Sequence, residues 1–281
     1  LAHALPLSIV TGATGGIGGW IALGLAKAGH DLILIGRSGD AHAATRAWIV
    51  SQVPAATIEI AIADLSLLGE TRRAGEAIVA SGRPIDVLIN NAGVFTHRRE
   101  ETAEGHERVI AVNHLAPFVL TRAVLPALRL AATGARIVNV GSSTSDTARI
   151  NPDDLEGRHR WGMVRSYGQS KLALLMATQL LAEHLRADGI TANTVHPGAV
   201  ATGLVRAGGP IGLAWRAMSP FLLTKAQGAV TPLHVALAPE FAALTGTYVK
   251  KTKPVKPNGR AQDRSLVRRV WEASEALCDP A

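Results

Sequence analysis

The sequence predicts an α/β fold: a doubly wound (Rossmann-type), mostly parallel sheet of seven strands with helices on both faces, in a single domain over residues 1–281. Three observations point there. Short apolar runs of strand length alternate with longer runs of helical periodicity along the whole chain. A glycine-rich turn follows the first apolar run and opens the first helical one. Polar or glycine-containing turns close the later strands, and in such sheets ligands bind at the strands' carboxyl ends. No internal repeat, low-complexity stretch or linker interrupts the pattern.

Composition bounds the function. At 281 residues, 47% hydrophobic and 18% charged, the chain is an ordinary globular protein with enough core to stand without staples. One cysteine, Cys278, excludes an internal disulfide framework, and there is no cysteine-based zinc spacing, so no metal is expected. No apolar run reaches the ~18 residues of a membrane span. Residues 1–7 lack the basic start and length of a signal peptide. A reducing, cytoplasmic location is the expectation. The net charge of +7 suits a polyanion, either nucleic acid or an anionic cofactor. The one local excess, Lys250, Lys251, Lys253 and Lys256, is broken by prolines and carries no aromatics for base stacking, so it reads as a solvated loop and no nucleic-acid partner is expected.

Taken in order, Leu7–Val10 is a buried strand by type. Thr11–Gly18 follows with the spacing G-x-x-x-G-x-G and leads into the helical run Trp20–Ala28. Gly12 allows a tight turn, Gly16 a close approach of pyrophosphate to the backbone, and Gly18 the packing of helix on strand. The helix N-terminus offers free N–H groups and a positive dipole end to phosphate. His30–Ile35 is a second strand ending in Gly36-Arg37-Ser38. An acidic residue at this point would hold the ribose 2′-hydroxyl of NAD. Arg37 instead suits the 2′-phosphate of NADP, unless it is a solvated arginine at a strand end.

A helix over about 41–52 leads to a third strand, Ile58–Ile62, closed by Asp64-Leu65. Asp64 either accepts from an adenine amine or caps the helix over 67–81. Pro84–Ile89 is a fourth strand and runs into Asn90-Asn91-Ala92-Gly93, a polar turn where backbone passes close to a ligand. Thr102–Thr133 is helical in pattern, with Pro117 and Pro126 as breaks or kinks. Asn113 inside it has a specific hydrogen-bonding task or is a satisfied core amide.

Ala135–Val140 is a fifth strand, ended by Gly141-Ser142-Ser143. Residues 144–164 form a polar, flexible stretch beside the presumed site. A helix over roughly 165–187 carries Tyr167 and Lys171, four apart and so on one face. A phenol titrates near ~10, and a cation about 4 Å away can lower that by up to about three pK units, which makes a usable general acid/base. Ile190–Val195 is a sixth strand, ended by His196–Thr202. Residues 199–225 include Leu204, Leu213, Trp215, Met218 and Phe221 and form either a substrate lid or a helix pair packed on the body. Helical runs near 226–238 and 262–277 flank a last strand, Gly246–Val249.

With these residues in view, the sequence resembles the short-chain dehydrogenase/reductase family along nearly its whole length. The matching motifs are Thr11–Gly18, Asn90–Gly93, Asn113, Ser142, Tyr167 with Lys171, and Pro197-Gly198. Arg136–Ser142, the long Ser142-to-Tyr167 spacing, Ser166–Lys171, His196–Gly198 and Val270-Trp271-Glu272 are similar to its retinol-dehydrogenase-like branch. Gly141 departs from that branch, which usually has a second serine there, and this leaves the choice between Ser142 and Ser143 open by one residue, with Ser142 preferred. The N-terminal membrane anchor of some animal relatives has no counterpart in residues 1–7, so a soluble form is expected.

The resemblance implies an NADP(H)-dependent oxidoreductase, with NAD(H) second, acting on a lipophilic or bulky alcohol, ketone or aldehyde. It implies Tyr167 as the proton donor and acceptor and Ser142 as hydrogen-bond donor to the substrate oxygen. Lys171 would lower the pKa of Tyr167 and hold the nicotinamide ribose, and Asn113 would anchor a water in a proton relay. Cofactor binding is carried onto Gly12, Thr14, Gly15, Gly16, Ile17, Gly18, Arg37, Ser38, Asp64, Leu65, Asn91, Ala92, Gly93, Tyr167, Lys171, Pro197, Gly198, Val200 and Thr202. Two other readings compete: a non-catalytic NADP-binding sensor or scaffold, which would usually lose Tyr167 or Lys171, and a sugar-nucleotide epimerase, which would need a larger substrate domain and another glycine spacing. A homodimer or homotetramer fits the family, although the 144–164 insertion could obstruct the usual helix-pair interface.

Overall fold

The computed structural model describes residues 5–131, 133–200 and 222–279. Among these, eight strands form one sheet in the order β3-β2-β1-β4-β5-β6-β7-β8. The strands are β1 (Leu7–Thr11), β2 (Asp31–Gly36), β3 (Ile58–Ile62), β4 (Val87–Asn90), β5 (Arg136–Val140), β6 (Thr191–His196), β7 (Tyr248–Lys250) and β8 (Lys253–Val255). All neighbours are parallel except β7 and β8. The chain starts in the middle at β1, winds outward through β2 and β3, then returns to β4 on the other side. The switch point between β1 and β4 is where such sheets open a crevice for ligands.

The eighth strand is the departure from the expected seven. Lys251 and Thr252 turn the chain with φ of +46° and +63°, and Lys253–Val255 folds back on β7. The lysine-rich stretch is therefore a hairpin and not a loop. Non-glycine residues in the left-handed region make this tight turn, so the usual Asn-Gly signal is missing.

Helices on both faces of the sheet bury one side against it. On one side α1 (Gly18–Lys27), α2 (Gly39–Gln52) and α6 (Lys225–Leu237) bring Ile21, Leu25, Ile49 and Val235 against Val10, Leu34, Ile89 and Val138. On the other, α3 (Leu68–Val79) and α4 (Arg108–Leu128) bring Ile78, Leu120 and Val124 against Ile9, Ile33, Leu88 and Ile137. The alternation of Ile9 and Val10 to opposite faces is the period-two geometry of a strand buried on both sides.

Helix α4 starts at Arg108, later than the pattern suggested, because Gly105 turns the preceding chain and Glu107 caps the helix by accepting from the Ile110 N–H at 2.8 Å. It is long and apolar enough to cross a membrane by length and composition, but 78% of the relevant window is buried inside the fold. Pro126 lies within it without ending it. Residues Ala111–Leu115 widen into a π turn just before Pro117. Proline has no N–H for the carbonyl four residues back, here that of Asn113, and the wider turn absorbs that missing bond.

Helix α5 (Met163–His184) is covered in turn by α7 (Arg264–Cys278). Trp271 lies edge-on to Phe118 of α4 at 4.7 Å and to His184 of α5 at 5.0 Å. Asp279 receives both Arg72 of α3 and Arg122 of α4, at 2.7 and 2.8 Å. Trp271→Ala should therefore lower stability by about 3 kcal/mol, the usual cost of emptying a tryptophan site. Urea unfolding would show this as a lower midpoint with an unchanged slope.

Candidate active site

A cleft of about 780 Å³ runs along the carboxyl edge of the sheet from β2 to β6. One end is built on the glycine loop. Helix α1 starts after Ile17 with no side-chain cap, whereas α2, α6 and α7 are capped by Ser38, Thr224 and Asp263. The Gly18 N–H turns back to the Gly15 carbonyl at 3.2 Å, and the N–H groups after it are left for an anion in the cleft.

The loop is held from below. The Asn91 side chain donates to the carbonyls of Thr11 and Gly12 at 2.9 and 3.1 Å, and the Thr11 hydroxyl accepts from the N–H groups of Asn91 and Ala92 at 3.0 Å each. A Cβ on Gly12, at φ +68°, would stand 2.9 Å from Ala92 Cα. One on Gly18 would stand 2.4 Å from the Gly12 carbonyl oxygen and 2.5 Å from Asn91 Nδ2. These glycines are demanded by close packing of loop on turn.

Arg37, Ser38, Asp64 and Leu65 line the opposite bank. Asp64 does not cap α3; the Glu104 carboxylate does, taking the N–H groups of Leu68 and Gly69. Asp64 accepts from the Ser66 N–H at 2.9 Å instead. Burial pushes its carboxyl up, but the Ser66 hydrogen bonds and the charges of Arg37 and Arg108 outweigh that and hold it below the ordinary range.

At the other end the cleft reaches Ser142, Tyr167 and Lys171. Tyr167 and Lys171 lie one turn apart on α5, both buried. The Ser142 side chain faces the Tyr167 phenol and acts to lower its pKa. It also accepts from the Thr144 N–H at 3.3 Å, while the Ser142 carbonyl accepts from the Tyr248 hydroxyl at 3.1 Å and the Ser145 hydroxyl at 2.7 Å. The next N–H, that of Ser143, donates to His196 Nδ1 at 3.2 Å. The Ser142 side chain thus lies toward the phenol, while the Ser143 N–H is turned to His196. A Cβ at Gly141 would lie 2.7 Å from the Thr194 methyl, which accounts for glycine at that position in this chain.

Lys171 Nζ donates to the Val140 carbonyl at 2.8 Å and lies 5.9 Å from the Tyr167 ring centroid. Burial pushes its pKa down to about 8. Burial also pushes the Tyr167 phenol up, against the opposing effect of Ser142. Desolvation is the larger of these two effects on the phenol. Phe95 stands edge-on to Tyr167 at 5.2 Å and fixes the ring.

Asn113 sits behind this line, in the π turn. Its side chain makes three bonds: Oδ1 accepts from the Val94 N–H at 2.8 Å, and Nδ2 donates to the Val94 carbonyl and the Ser170 hydroxyl at 3.0 and 3.1 Å.

The family model for short chain dehydrogenase matches residues 7–209. Retinol dehydrogenase 12 of Mus musculus is 35% identical over 95% of this chain and 84% of its own length. Polyprenol dehydrogenase of the same organism is 35% identical over 94% and 81%. The chain belongs to the short chain dehydrogenase family. A blue fluorescent protein from a metagenomic library, solved in complex with NADPH, superposes on this dehydrogenase with a TM-score of 0.69 at 30% identity, covering 88% of this chain and 96% of that one.

In this dehydrogenase, nearly every residue singled out from the sequence lines the cleft, including Thr14, Gly15, Gly16, Ala92, Gly93, Pro197, Gly198 and Val200. Gly18 and Asn113 act from behind it. Thr202 and the 201–221 part of the expected lid lie outside the described residues, while the flanking Val200 and Leu223 meet in a parallel bridge. The 144–164 stretch is not the loose segment expected. Asp154 and Glu156 are buried, and their carboxylates accept from the N–H groups of Arg158 and Glu107 and from His106 Nδ1. Sequence reasoning missed Phe95, His196 and Tyr248; an aromatic two residues past Asn90–Gly93 was the one signal present.

Lys171→Met removes a buried charge whose depressed pKa corresponds to on the order of 3 kcal/mol at pH 7. The variant should melt several degrees above the wild type without cofactor. The folded pKa lies below the unfolded one, so the penalty is fully present below about pH 8 and is relieved as pH rises toward the ordinary lysine value. The difference in melting temperature should shrink over that window.

Proposed function

We propose that this dehydrogenase is an NADP(H)-dependent oxidoreductase that interconverts a carbonyl and an alcohol on a lipophilic or bulky substrate. The observation that carries the proposal is one continuous cleft with uncapped helix N–H groups and Arg37 at one end and Ser142, Tyr167 and Lys171 at the other. A dinucleotide suits that cleft: Gly15 has open space where a side chain would stand, and Gly93 leaves room beside Lys171 Nζ and Asn113 Oδ1, 3.6 and 3.4 Å from a Cβ built there. The cofactor, when bound, supplies or accepts the hydride.

This chain's residues do the rest. Gly12–Ile17 and the α1 N-terminus would hold the pyrophosphate; Arg37 and Ser38 the 2′-phosphate; Asp64 and Leu65 the adenine; Val200 and Thr202 the carboxamide. Arg37, with no acidic residue in its place, favours NADP(H) over NAD(H). Ser142 donates to the substrate oxygen and steadies charge that develops there. Tyr167, neutral at pH 7 because burial raises its pKa, gives that oxygen a proton during reduction. Lys171 would hold the ribose hydroxyls and, with a water anchored at Asn113 linking it to solvent, would pass a proton back to the phenol. Phe95 and Val164 line the mouth with apolar surface, which supports a lipophilic substrate class.

Tyr167→Phe should lower kcat at least about 100-fold and leave NADPH binding within about twofold; stopped-flow turnover and fluorescence titration check the two halves. Arg37→Asp should weaken NADPH about 10- to 100-fold, the worth of a charge-assisted pair, without weakening NADH. Titration of each nucleotide separately, by tryptophan quenching, reads this, and an unchanged ratio would remove Arg37 from the role.

A further inference from the structure

Around Ser142 the structure shows more support than a strand end requires. The residue's carbonyl, its hydroxyl and the following N–H are each engaged by a different element: Tyr248 of β7, Thr144 of the next turn, and His196 at the end of β6. Only the last partner can change its bonding with protonation. A backbone N–H always donates, so the Ser143 N–H···Nδ1 bond requires the His196 Nδ1 lone pair, and the neutral ring carries its proton on Nε2.

We propose that His196 is a positioning residue: its unprotonated Nδ1 holds the Ser143 N–H, keeps the Ser142 hydroxyl against Tyr167, and lets go when that nitrogen takes a proton. The inference rests on the carbonyl-reducing reading above for its consequence in turnover, but not for its bond. Two charged groups act on the imidazole. Lys250 on β7 and Asp146 on the turn after Ser142 bear charges of opposite sign and pair with each other, and burial adds to the lysine in disfavouring the imidazolium. Tyr248 beside them stays neutral, its pKa raised beyond the physiological range by burial. Burial and Lys250 together outweigh Asp146, so the His196 pKa lies below the ordinary 6.5. The neutral, bonding form is therefore present at pH 7, and the bond is lost only as pH falls through that lowered value.

Asparagine offers an acceptor oxygen that does not titrate; alanine offers none. The experiment is carbonyl reduction at saturating NADPH across pH 5–8 for the wild type, His196→Asn and His196→Ala, using the carbonyl compound with the highest turnover in an aldehyde and ketone screen. The wild type should lose kcat on the acid side with a one-proton slope. His196→Asn should recover most of the turnover at pH 7 and lose that acid limb. His196→Ala should fall about 10-fold or more at every pH, with NADPH affinity unchanged. An acid limb that survives in His196→Asn, or wild-type kcat in His196→Ala, overturns the proposal. ¹⁵N-histidine spectra of the cofactor-free protein provide a second readout. The His196 signals should report a bare Nδ1 and a protonated Nε2 at pH 7; a proton on Nδ1 overturns the proposal without any turnover. If no carbonyl compound or NADPH is accepted while the spectra show the bare Nδ1, the oxidoreductase reading fails, and the His196–Ser143 bond stands apart from it.

Discussion

A lysine ammonium sealed inside the protein is the constraint around which the site is arranged. Lys171 is buried, and a charge in that position needs compensation from groups that cannot move away. The Val140 carbonyl provides it because β5 ends there, directly under α5. Glycine at 93 keeps the neighbouring turn from filling the space beside Nζ. The Asn113 side chain, bonded to Val94 and Ser170, ties that turn to both helices. The sheet, the π turn and α5 thus meet at one cation. Burial is what pushes its pKa down to about 8.

The two ends of the cleft are stabilised in different ways. The phosphate end depends on backbone: helix N–H groups, glycines pressed on Asn91 and Ala92, and one threonine hydroxyl bridging two N–H groups. Such parts have few alternatives, since a methyl group would displace the loop. The chemical end depends on side chains that β6, β7 and the turn after β5 supply to the Ser142–Ser143 corner. The polar knot of Asp154, Glu156, His106 and Glu107 adds a rigid shoulder, with Trp161 donating to Glu107 at 3.1 Å and Gln169 of α5 donating to the carbonyls of residues 154 and 155.

Much of this was legible in the residue order. The glycine spacing, Arg37 past β2, the Asn90–Gly93 turn and the Tyr167/Lys171 pair are local patterns, and the strand/helix alternation carries them all to one edge. What was not legible depends on contacts between distant segments or on unusual backbone. Lys251 and Thr252 turn a hairpin with residues that do not advertise it. The π turn at Ala111–Leu115 needs Asn113 and Pro117 to be read together. The acidic and basic residues of 144–164 suggested solvent exposure, yet Asp154 and Glu156 are buried because backbone N–H groups and a histidine satisfy them. The bonds of His196 and Tyr248 have no signature in sequence, since their partners stand 53 and 106 positions away.

Those separations also order events during synthesis. The glycine loop is complete once Asn91 has docked, whereas the serine corner waits for β6 and then for Tyr248. At ordinary translation rates of about 5–20 residues per second, the two moments lie roughly ten to thirty seconds apart. A nascent chain therefore holds a nearly finished nucleotide cradle beside an open β4 edge well before it can do chemistry. During that interval an early-binding nucleotide would favour the compact half, and an unpaired parallel strand would be the surface that a chaperone has to shield.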